Sequence, residues 1–328
     1  MINRYATRLN SFGSTKAQAM LGLDRKPTPE EMVRLAGRVP GLTDLDLNYP
    51  DQVEGRETAI MDALSDAGLS LSGMALRYYA LPKFKAGAFT SAEKSIRQDA
   101  IDLTRRGIDA GRKMGTDLMT IWPGPEGYET NFQVDYSRHW DLLLDGLRAV
   151  AEHDPECRIS LEYKPDEPRA KAILPDCATT LLFLDELNLP NTGVTLDFAH
   201  SLYAGETPAA AAALIARRSK LFGLHLNDGH GSRDDGLMVA SVHPHATLEL
   251  LIEARHAGFD GPIYFDTFPD TADLDPVAEC AANIATTNRL LAAAERIEKD
   301  NRIADVLEQQ DAVAGLSIAN DALFRGIE

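Results

Sequence analysis

The feature that most constrains the fold of this chain is a strict alternation of strand and helix patterns. Eight short, mostly apolar segments are each followed by a segment with helical spacing and helix-capping residues. Strict alternation requires parallel strands joined by helical crossovers. The predicted strands are 5–12, 41–49, 69–79, 117–122, 158–163, 193–198, 221–226 and 262–266. The predicted helices are 28–38, 56–67, 91–114, 137–153, 179–187, 207–220, 244–257 and 276–297.

Eight repeats in 328 residues fit one closed barrel, and an open doubly wound sheet is the alternative. No GxGxxG motif follows the first strand, which weakens the nucleotide-binding version of the open sheet. The later strands are almost continuously apolar, as expected when both of their faces are covered. We therefore predict an α/β chain with a (β/α)8 TIM barrel over residues 1–297 and a C-terminal helical extension over 298–328.

The predicted extension contains apolar residues at helix-like spacing, interrupted by Gly315. An amphipathic helix must bury its apolar face somewhere. Two interpretations remain open: the extension packs on its own barrel, or it is an arm that contacts a neighbouring subunit of a homo-oligomer, a dimer or a tetramer. The apolar residues are Ile303, Val306, Leu307, Val313, Leu316, Ile318, Leu323 and Phe324.

Composition excludes several classes of partner. The formal net charge of −17 repels a phosphate backbone, so we expect no nucleic-acid partner. No run approaches the roughly 18 apolar residues of a membrane span, and residues 1–12 lack the apolar centre of a signal peptide. The three cysteines form no CxxC pair, which fits a reducing compartment. We expect a soluble cytoplasmic protein without a membrane partner.

Metal-binding side chains lie at the ends of the fifth to eighth predicted strands: Glu162, Asp197, His225 and Asp266. The carboxyl ends of barrel strands meet at one face, so these four side chains should converge. Three carboxylates placed together repel one another unless a cation is bound. Oxygen-rich ligation suits Mn²⁺, Mg²⁺ or Co²⁺. The sequence therefore predicts a divalent-metal site, although Asp266, followed by a threonine, could instead be a helix cap.

A second cation site is predicted beside the first. His200 follows Asp197 in a D-x-x-H motif, and Asp234 and Asp235 lie in the polar loop after the seventh strand. His200 with either aspartate could hold a second cation and share Glu162. Two neighbouring metals can clamp two oxygens of a substrate. The alternative for Asp234 and Asp235 is an ordinary exposed acidic turn.

Four motifs resemble the metal-site strands of the xylose isomerase-like barrel superfamily. They are L-E-Y-K-P at 161–165, T-L-D-F-A-H at 195–200, H-L-N-D-x-H at 225–230 and Y-F-D-T at 264–267. Within that superfamily the chain is most similar to the L-rhamnose isomerase-like sugar isomerases. The resemblance implies a metal-dependent isomerase that interconverts an aldose and a ketose, a small neutral monosaccharide, by hydrogen transfer between C1 and C2. Mn²⁺ is the cofactor that we favour, with Mg²⁺ or Co²⁺ as alternatives.

The resemblance also assigns roles to single residues. It implies a first metal on the four strand-end ligands and a second metal near His200 and the two adjacent aspartates. It implies that Lys164 contacts a substrate oxygen and that Trp122 forms a wall of the sugar site. The expected catalytic residues are Glu162, Lys164, His200, Asp234 and Asp235, and the expected substrate-binding residues are Trp122, Lys164 and His200.

The chain departs from this family pattern at several positions. Related isomerases carry D-x-D at the second site, whereas Asp234 and Asp235 are adjacent, so either could be the ligand. Several relatives use a histidine at an early strand end for ring opening, and this chain offers Asn48, Arg77 and Tyr78 there. Sugar 3-epimerases of the superfamily usually carry Glu on strand eight, so Asp266 favours isomerisation.

Four other functions remain open. A ketose 3-epimerase or a keto-polyol dehydratase could use the same metal site. A DNA-repair endonuclease shares the barrel but needs a basic face, which the net charge opposes. A non-catalytic metal-binding barrel is the fourth. No glycine-rich phosphate loop follows the last two strands, although Lys83, Lys85 and Arg77 leave a phosphorylated substrate open.

Overall fold

The chain forms a closed barrel of eight parallel strands in a computed structural model that describes residues 4–325. Residues 1–3 and 326–328, at the ends of the two predicted segments, lie outside the described part. The first strand pairs with the eighth (Tyr5 opposite Ile263), which closes the ring and excludes the open sheet. The predicted (β/α)8 fold is thus confirmed. Its strands are Tyr5–Arg8, Asp44–Tyr49, Ser70–Leu76, Leu118–Ile121, Arg158–Glu162, Thr192–Asp197, Leu221–Leu226 and Ile263–Phe265.

Each predicted helix is present, with ends shifted by at most a few residues. Local capping explains where several of them begin. The helix after the first strand starts with a capping box between Thr28 and Glu31 and with Pro29 in its first turn. The last barrel helix starts at Asp275, whose carboxylate accepts from two backbone N–H groups. The helices are Pro29–Ala36, Glu57–Ala67, Lys94–Lys113, Tyr136–Ala151, Cys177–Leu187, Pro208–Arg218, Pro244–His256 and Pro276–Glu298.

Several short elements differ from the sequence prediction. The first strand ends at Arg8 because the chain turns into a 3-10 helix, Leu9–Gly13, which buries Leu9 and Phe12. A short helix, Phe198–Tyr203, follows the sixth strand directly. The remaining unpredicted elements are the helix Thr15–Met20, the 3-10 turn Pro82–Phe84 and an antiparallel ribbon of Gly127–Tyr128 with Lys171–Ala172.

The C-terminal extension forms two helices, Ile303–Gln309 and Ala312–Leu323. The predicted interruption at Gly315 is wrong, because Gly315 lies inside the second helix. The break occurs at Gln310, which adopts a left-handed φ of 54°, and Asp311 caps the next helix. Ile318 is buried against the barrel, so part of the apolar face packs on the chain itself. Leu307, Val313, Leu316 and Phe324 stay exposed, and the oligomerisation arm stays a prediction.

Buried apolar residues from strands and helices form the core of the described part, and all three cysteines are buried free thiols. None of the helices in residues 4–325 is long and apolar enough to cross a membrane.

Candidate active site

The barrel brings the four predicted metal ligands together at one end. One ligand atom each from Glu162, Asp197, His225 and Asp266 lies within 4.8 Å of all the others. Strand register explains part of this convergence, since Asp197 pairs with His225 across the sixth and seventh strands. Glu162 lies at the end of the adjacent fifth strand, opposite Thr195. The set contains three carboxylates and one imidazole, as expected from the sequence.

Hydrogen bonds hold these ligands in orientation. The Asn227 amide donates to both oxygens of Asp197 at 3.2 and 3.0 Å and to the Asp266 carbonyl at 3.1 Å. The Asp197 carboxylate also accepts from the His200 backbone N–H at 2.9 Å, so it caps the short helix Phe198–Tyr203. His225 Nδ1 lies 3.0 Å from Glu162 Oε1, and its ring lies 4.2 Å from that of Tyr264. Such supporting contacts typically fix metal-ligand geometry.

Burial and neighbouring charges shift the pKa values of these carboxyl groups. A bound cation would offset the cost of burying their negative charges. Burial raises the pKa of Asp197 to about 7 and that of Asp266 above its usual value. Burial also acts on Glu162, yet the neighbouring His225 lowers the pKa of this carboxyl to about 2. Three buried oxygen ligands and one nitrogen ligand at mutual contact distance fit a hard or borderline divalent cation.

Another buried acid lies close to this cluster. Burial raises the pKa of Asp46, on the second strand, to about 7, and the charges of Glu162 and Asp266 raise it further. Gly73 on the adjacent strand makes room for it, since a Cβ at position 73 would lie 2.7 Å from Asp46 Oδ2. Asp46 therefore adds a fourth buried carboxyl group close to the proposed metal ligands.

A second group of side chains adjoins the first. His200 Nε2 and Lys164 Nζ each lie 3.1 Å from Asp234 Oδ2, and Lys164 also contacts Glu167 at 2.8 Å. His200 Nδ1 lies 3.1 Å from the Tyr163 carbonyl and 3.7 Å from Glu162, which links the two groups. Asp234 Oδ1 is buried without a hydrogen-bond partner among the described residues. This oxygen is free to contact a substrate hydroxyl or a cation.

The two adjacent aspartates separate in the structure. Asp234 contacts His200, as expected, whereas Asp235 binds within its own loop. The Asp235 carboxylate accepts from the His230 backbone N–H at 2.8 Å and from Arg233 at 2.6 Å. The sequence left either aspartate open as the partner of His200; among the described residues His200 contacts Asp234, and loop contacts orient the Asp235 carboxylate elsewhere.

A cavity of about 380 Å³ opens above both groups. Trp122 and Tyr79 form an aromatic wall, with ring centroids 5.1 Å apart and planes at 66°. The Lys164 ammonium lies 5.3 Å from the centre of the Trp122 ring. Trp122 and Lys164 thus both line this cavity, and their contacts with a sugar stay a prediction. A larger concavity of about 710 Å³, beside the C-terminal helices, contains none of these residues.

Sequence analysis missed the contribution of the early strands. Arg8 and Arg77 line the cavity from the ends of the first and third strands. The sequence had offered Arg77 for ring opening or a phosphate contact, whereas Arg8 received no role. The strand-end rule, applied to the first strand, would have found Arg8. Asp46 had a different signal, the alternation D-L-D-L-N at 44–48, which is unusual for a barrel strand. Tyr78, considered for ring opening, is buried elsewhere against Thr104.

Comparison with known proteins identifies the family of this chain. The family model described as a xylose isomerase-like TIM barrel matches residues 38–290, more than half of the chain. The chain belongs to the xylose isomerase-like TIM barrel family. The superfamily expected from the four motifs is therefore confirmed, and the closer likeness to L-rhamnose isomerases stays a prediction.

This xylose isomerase-like barrel is similar in sequence to a xylose isomerase and in fold to two sugar epimerases. The chain is 30% identical over 253 residues to a xylose isomerase of Thermus thermophilus. The aligned region covers 75% of this chain and 65% of that protein. The structure of an L-ribulose 3-epimerase superposes with a TM-score of 0.67 at 17% identity, over 90% of this chain and 96% of the other. The D-allulose 3-epimerase from Methylomonas sp. gives 0.66 at 15% identity, over 88% and 97%. These two superpositions show the fold.

Proposed function

We propose that the chain is a divalent-metal-dependent sugar isomerase that interconverts an aldose and a ketose by hydrogen transfer between C1 and C2. The observation that carries the proposal is the convergence of Glu162, Asp197, His225 and Asp266 beneath a cavity with an aromatic wall. The similarity to a xylose isomerase of Thermus thermophilus supports the reaction type, although the match spans 65% of that protein.

The four converging side chains would hold the cation, with Mn²⁺ favoured and Mg²⁺ or Co²⁺ as alternatives. When bound there, a divalent cation polarises substrate oxygens and stabilises negative charge that develops on them. His200 and its partner Asp234 are the proposed ligands of a second cation site. The unpartnered Asp234 Oδ1 supports that assignment, and the adjacent Lys164 limits the space left for a second cation.

Lys164 is placed to donate a hydrogen bond to a substrate oxygen. Burial lowers the pKa of Lys164, but the carboxylates of Asp234 and Glu167 raise it more, so the ammonium stays protonated. Contact with Trp122 keeps its side chain at the cavity wall. A protonated amine at this position stabilises an oxygen that gains negative charge during hydrogen transfer.

His200 and Asp234 are placed to bind and orient a hydroxyl. Burial lowers the pKa of His200, whereas Asp197 and Asp234 raise it more, to about 10 in the cation-free site. Burial opposes ionisation of Asp234, yet His200 and Lys164 hold the pKa of this carboxyl below its usual range. Asp234 Oδ1 therefore stays ionised and can accept the proton of a substrate hydroxyl in a hydrogen bond.

A ketose 3-epimerase is the second candidate, because two superposed structures are named as an L-ribulose 3-epimerase and a D-allulose 3-epimerase. Asp266 weighs against it. Epimerisation at C3 needs an acid/base on each face of the carbon. The short Asp266 side chain lies at ligand distance from the other three residues and 3.9 Å from Arg8, which supports a purely ligating role.

The test starts from metal-stripped protein reloaded with Mn²⁺, Mg²⁺ or Co²⁺. Tetroses, pentoses, hexoses and branched sugars are supplied in D₂O, and NMR follows product identity and deuterium at each carbon. We expect cation-dependent aldose–ketose conversion with no exchange at C3. Deuterium at C3 with retention of the ketose would establish the epimerase instead. Turnover that survives complete metal removal would overturn both candidates.

The quaternary structure also remains a proposal. The exposed Leu307, Val313 and Leu316 support a homo-oligomer, a dimer or a tetramer, formed through the C-terminal helices. Light scattering coupled to size-exclusion chromatography measures the mass directly.

A further inference from the structure

A second cavity of about 520 Å³ adjoins the cavity above the metal ligands. Arg77 and Tyr79 line both spaces and stand between them. We propose that the outer cavity is a binding site for a second sugar ring, so that the preferred substrate is a neutral disaccharide or glycosylated sugar. The inference rests on the proposed function, since it places the reacting ring in the inner cavity.

A network of amide side chains is already arranged along the outer cavity. The Asn48 amide donates to Asn10 Oδ1 at 2.9 Å, and the Gln52 amide donates to the same oxygen. The Asn48 backbone N–H donates to Gln52 Oε1 at 2.8 Å, and Arg77 Nε donates to Asn48 Oδ1 at 2.8 Å. These groups hold one another in place before any ligand arrives, which lowers the ordering cost of binding.

None of these amides belongs to the metal-ligand set or to the Lys164 group, so the proposed reaction leaves them without a role. Side-chain amides supply donors and acceptors and the guanidinium supplies donors, and sugar hydroxyls can pair with both. Asp270 adds an acceptor, because its buried Oδ1 has no hydrogen-bond partner among the described residues, although it lies 3.7 Å from Arg8 Nη1. A polyhydroxylated ligand would satisfy these groups.

The charges of the outer cavity favour a neutral ligand. Lys26 and Arg77 contribute two positive charges, and Asp51 and Asp270 contribute two negative ones. A phosphate or carboxylate would be attracted by one pair and repelled by the other. Lys83, which the sequence left open as a phosphate contact, pairs with Asp99 instead.

Tyr79 provides an apolar surface at the junction. Tyr79 is 37% exposed, and its ring contacts both the Trp122 ring and the Arg77 guanidinium. Ligand pockets commonly combine such an aromatic surface with a few fixed polar groups, in volumes of about 300–1,000 Å³. A disaccharide would fit this arrangement with one sugar ring in each cavity and its glycosidic linkage beside Tyr79 and Arg77.

The experiment compares matched sugars on the Mn²⁺-loaded protein: D-xylose with xylobiose, and D-glucose with cellobiose and maltose. We expect kcat/KM for at least one disaccharide to exceed that of its monosaccharide by about tenfold, the effect of one or two added hydrogen bonds. Gln52→Ala and Asn10→Ala should remove this advantage and leave turnover of the monosaccharide unchanged. Circular dichroism and monosaccharide turnover show that both variants are folded.

Monosaccharides equal to or better than every disaccharide, with no effect of either substitution, would overturn the second-ring site. A preference for glucose 6-phosphate that depends on Arg77 would also overturn it in favour of an anionic ligand. If no sugar is turned over, the proposed function fails, and calorimetric titration with the same pairs still decides the inference. Tighter binding of a disaccharide that Gln52→Ala weakens would support it, and equal binding would refute it.

Discussion

Replacing Asp197 by Asn should change the stability of the protein in opposite directions with and without a cation. Without a cation, the ionised Asp197 is unfavourable, because burial raises its folded-state pKa from 3.8 to about 7. The ionised form therefore destabilises the folded protein increasingly as pH rises from about 4 to 7. At about 1.4 kcal/mol per pKa unit, burying ionised Asp197 costs the folded protein roughly 4 kcal/mol at pH 7.

Asn removes this charge but keeps much of the local structure. An Asn side chain caps a helix about as well as Asp, so the helix Phe198–Tyr203 should persist. One of the Asn227 contacts is lost, at a cost of about 1–2 kcal/mol. The net expectation in EDTA at pH 7 is a gain of roughly 2 kcal/mol, or a rise in Tm of about 4 °C at some 2 °C per kcal/mol.

With Mn²⁺ the sign reverses. A cation present at a thousand times its Kd stabilises the unmodified protein by about 4 kcal/mol, and Asp197→Asn forfeits most of this. The assay is thermal unfolding at pH 7 in EDTA and in Mn²⁺. Asp44→Asn is the matched control, since Asp44 is also fully buried on a barrel strand but pairs with Arg4. It should lower Tm equally in both buffers. Equal shifts for Asp197→Asn in both buffers would refute the metal assignment.

Three further predictions test the site and the core. Asp234→Asn should lower kcat/KM by about a hundredfold and Asp235→Asn should change it little, because only Asp234 contacts His200 and Lys164; steady-state kinetics of the pair checks this, and equal losses would contradict it. Glu126→Ala should destabilise the protein by about 3 kcal/mol in urea unfolding, since three backbone N–H groups at 88–90 lose their acceptor, and Glu126→Gln should cost less. Burial raises the pKa of the buried cysteine Cys157 to about 12, so the folded protein should not react with a thiol reagent at pH 8, whereas the unfolded protein should react fully.

The barrel was predictable because its signal is periodic and repeated. Eight alternations leave few topologies, and errors at single boundaries do not change the result. The first strand shows the limit. Its apolar pattern continues to Phe12, but Leu9–Gly13 forms a 3-10 helix that buries the same residues. The apolar pattern predicts that Leu9 and Phe12 are buried. It does not predict whether the backbone there is a strand or a 3-10 helix.

The convergence of the four proposed metal ligands was predictable because the position of a side chain on a strand fixes its direction. A strand end points its side chain to a known face of the barrel, so Asp197 and His225 could be placed together without coordinates. Asp234 and Asp235 are in a loop, where orientation depends on contacts such as the one between Arg233 and Asp235. The sequence alone contains no rule that separates two adjacent loop carboxylates.

The outer cavity could not be predicted for a similar reason. It is lined by Asn10, Asn48 and Gln52, and Asn10 lies 38 residues before Asn48 in the sequence. Side chains of these types are also common in ordinary loops and strand ends. These residues come together because the first strand pairs with the second in the barrel. The break at Gln310 was not predicted because glycine is the usual residue in the left-handed conformation. The sequence therefore indicated Gly315 rather than the non-glycine residue Gln310.

The four proposed metal ligands come from four neighbouring strands, the fifth to the eighth, and lie between Glu162 and Asp266. Closure of the ring between Tyr5 and Ile263 contributes none of them. During refolding, the second half of the barrel can therefore assemble its cation site before the more distant contact between the chain's two ends is made. A cation added at the start of refolding would then stabilise the transition state and speed folding, rather than only slow unfolding.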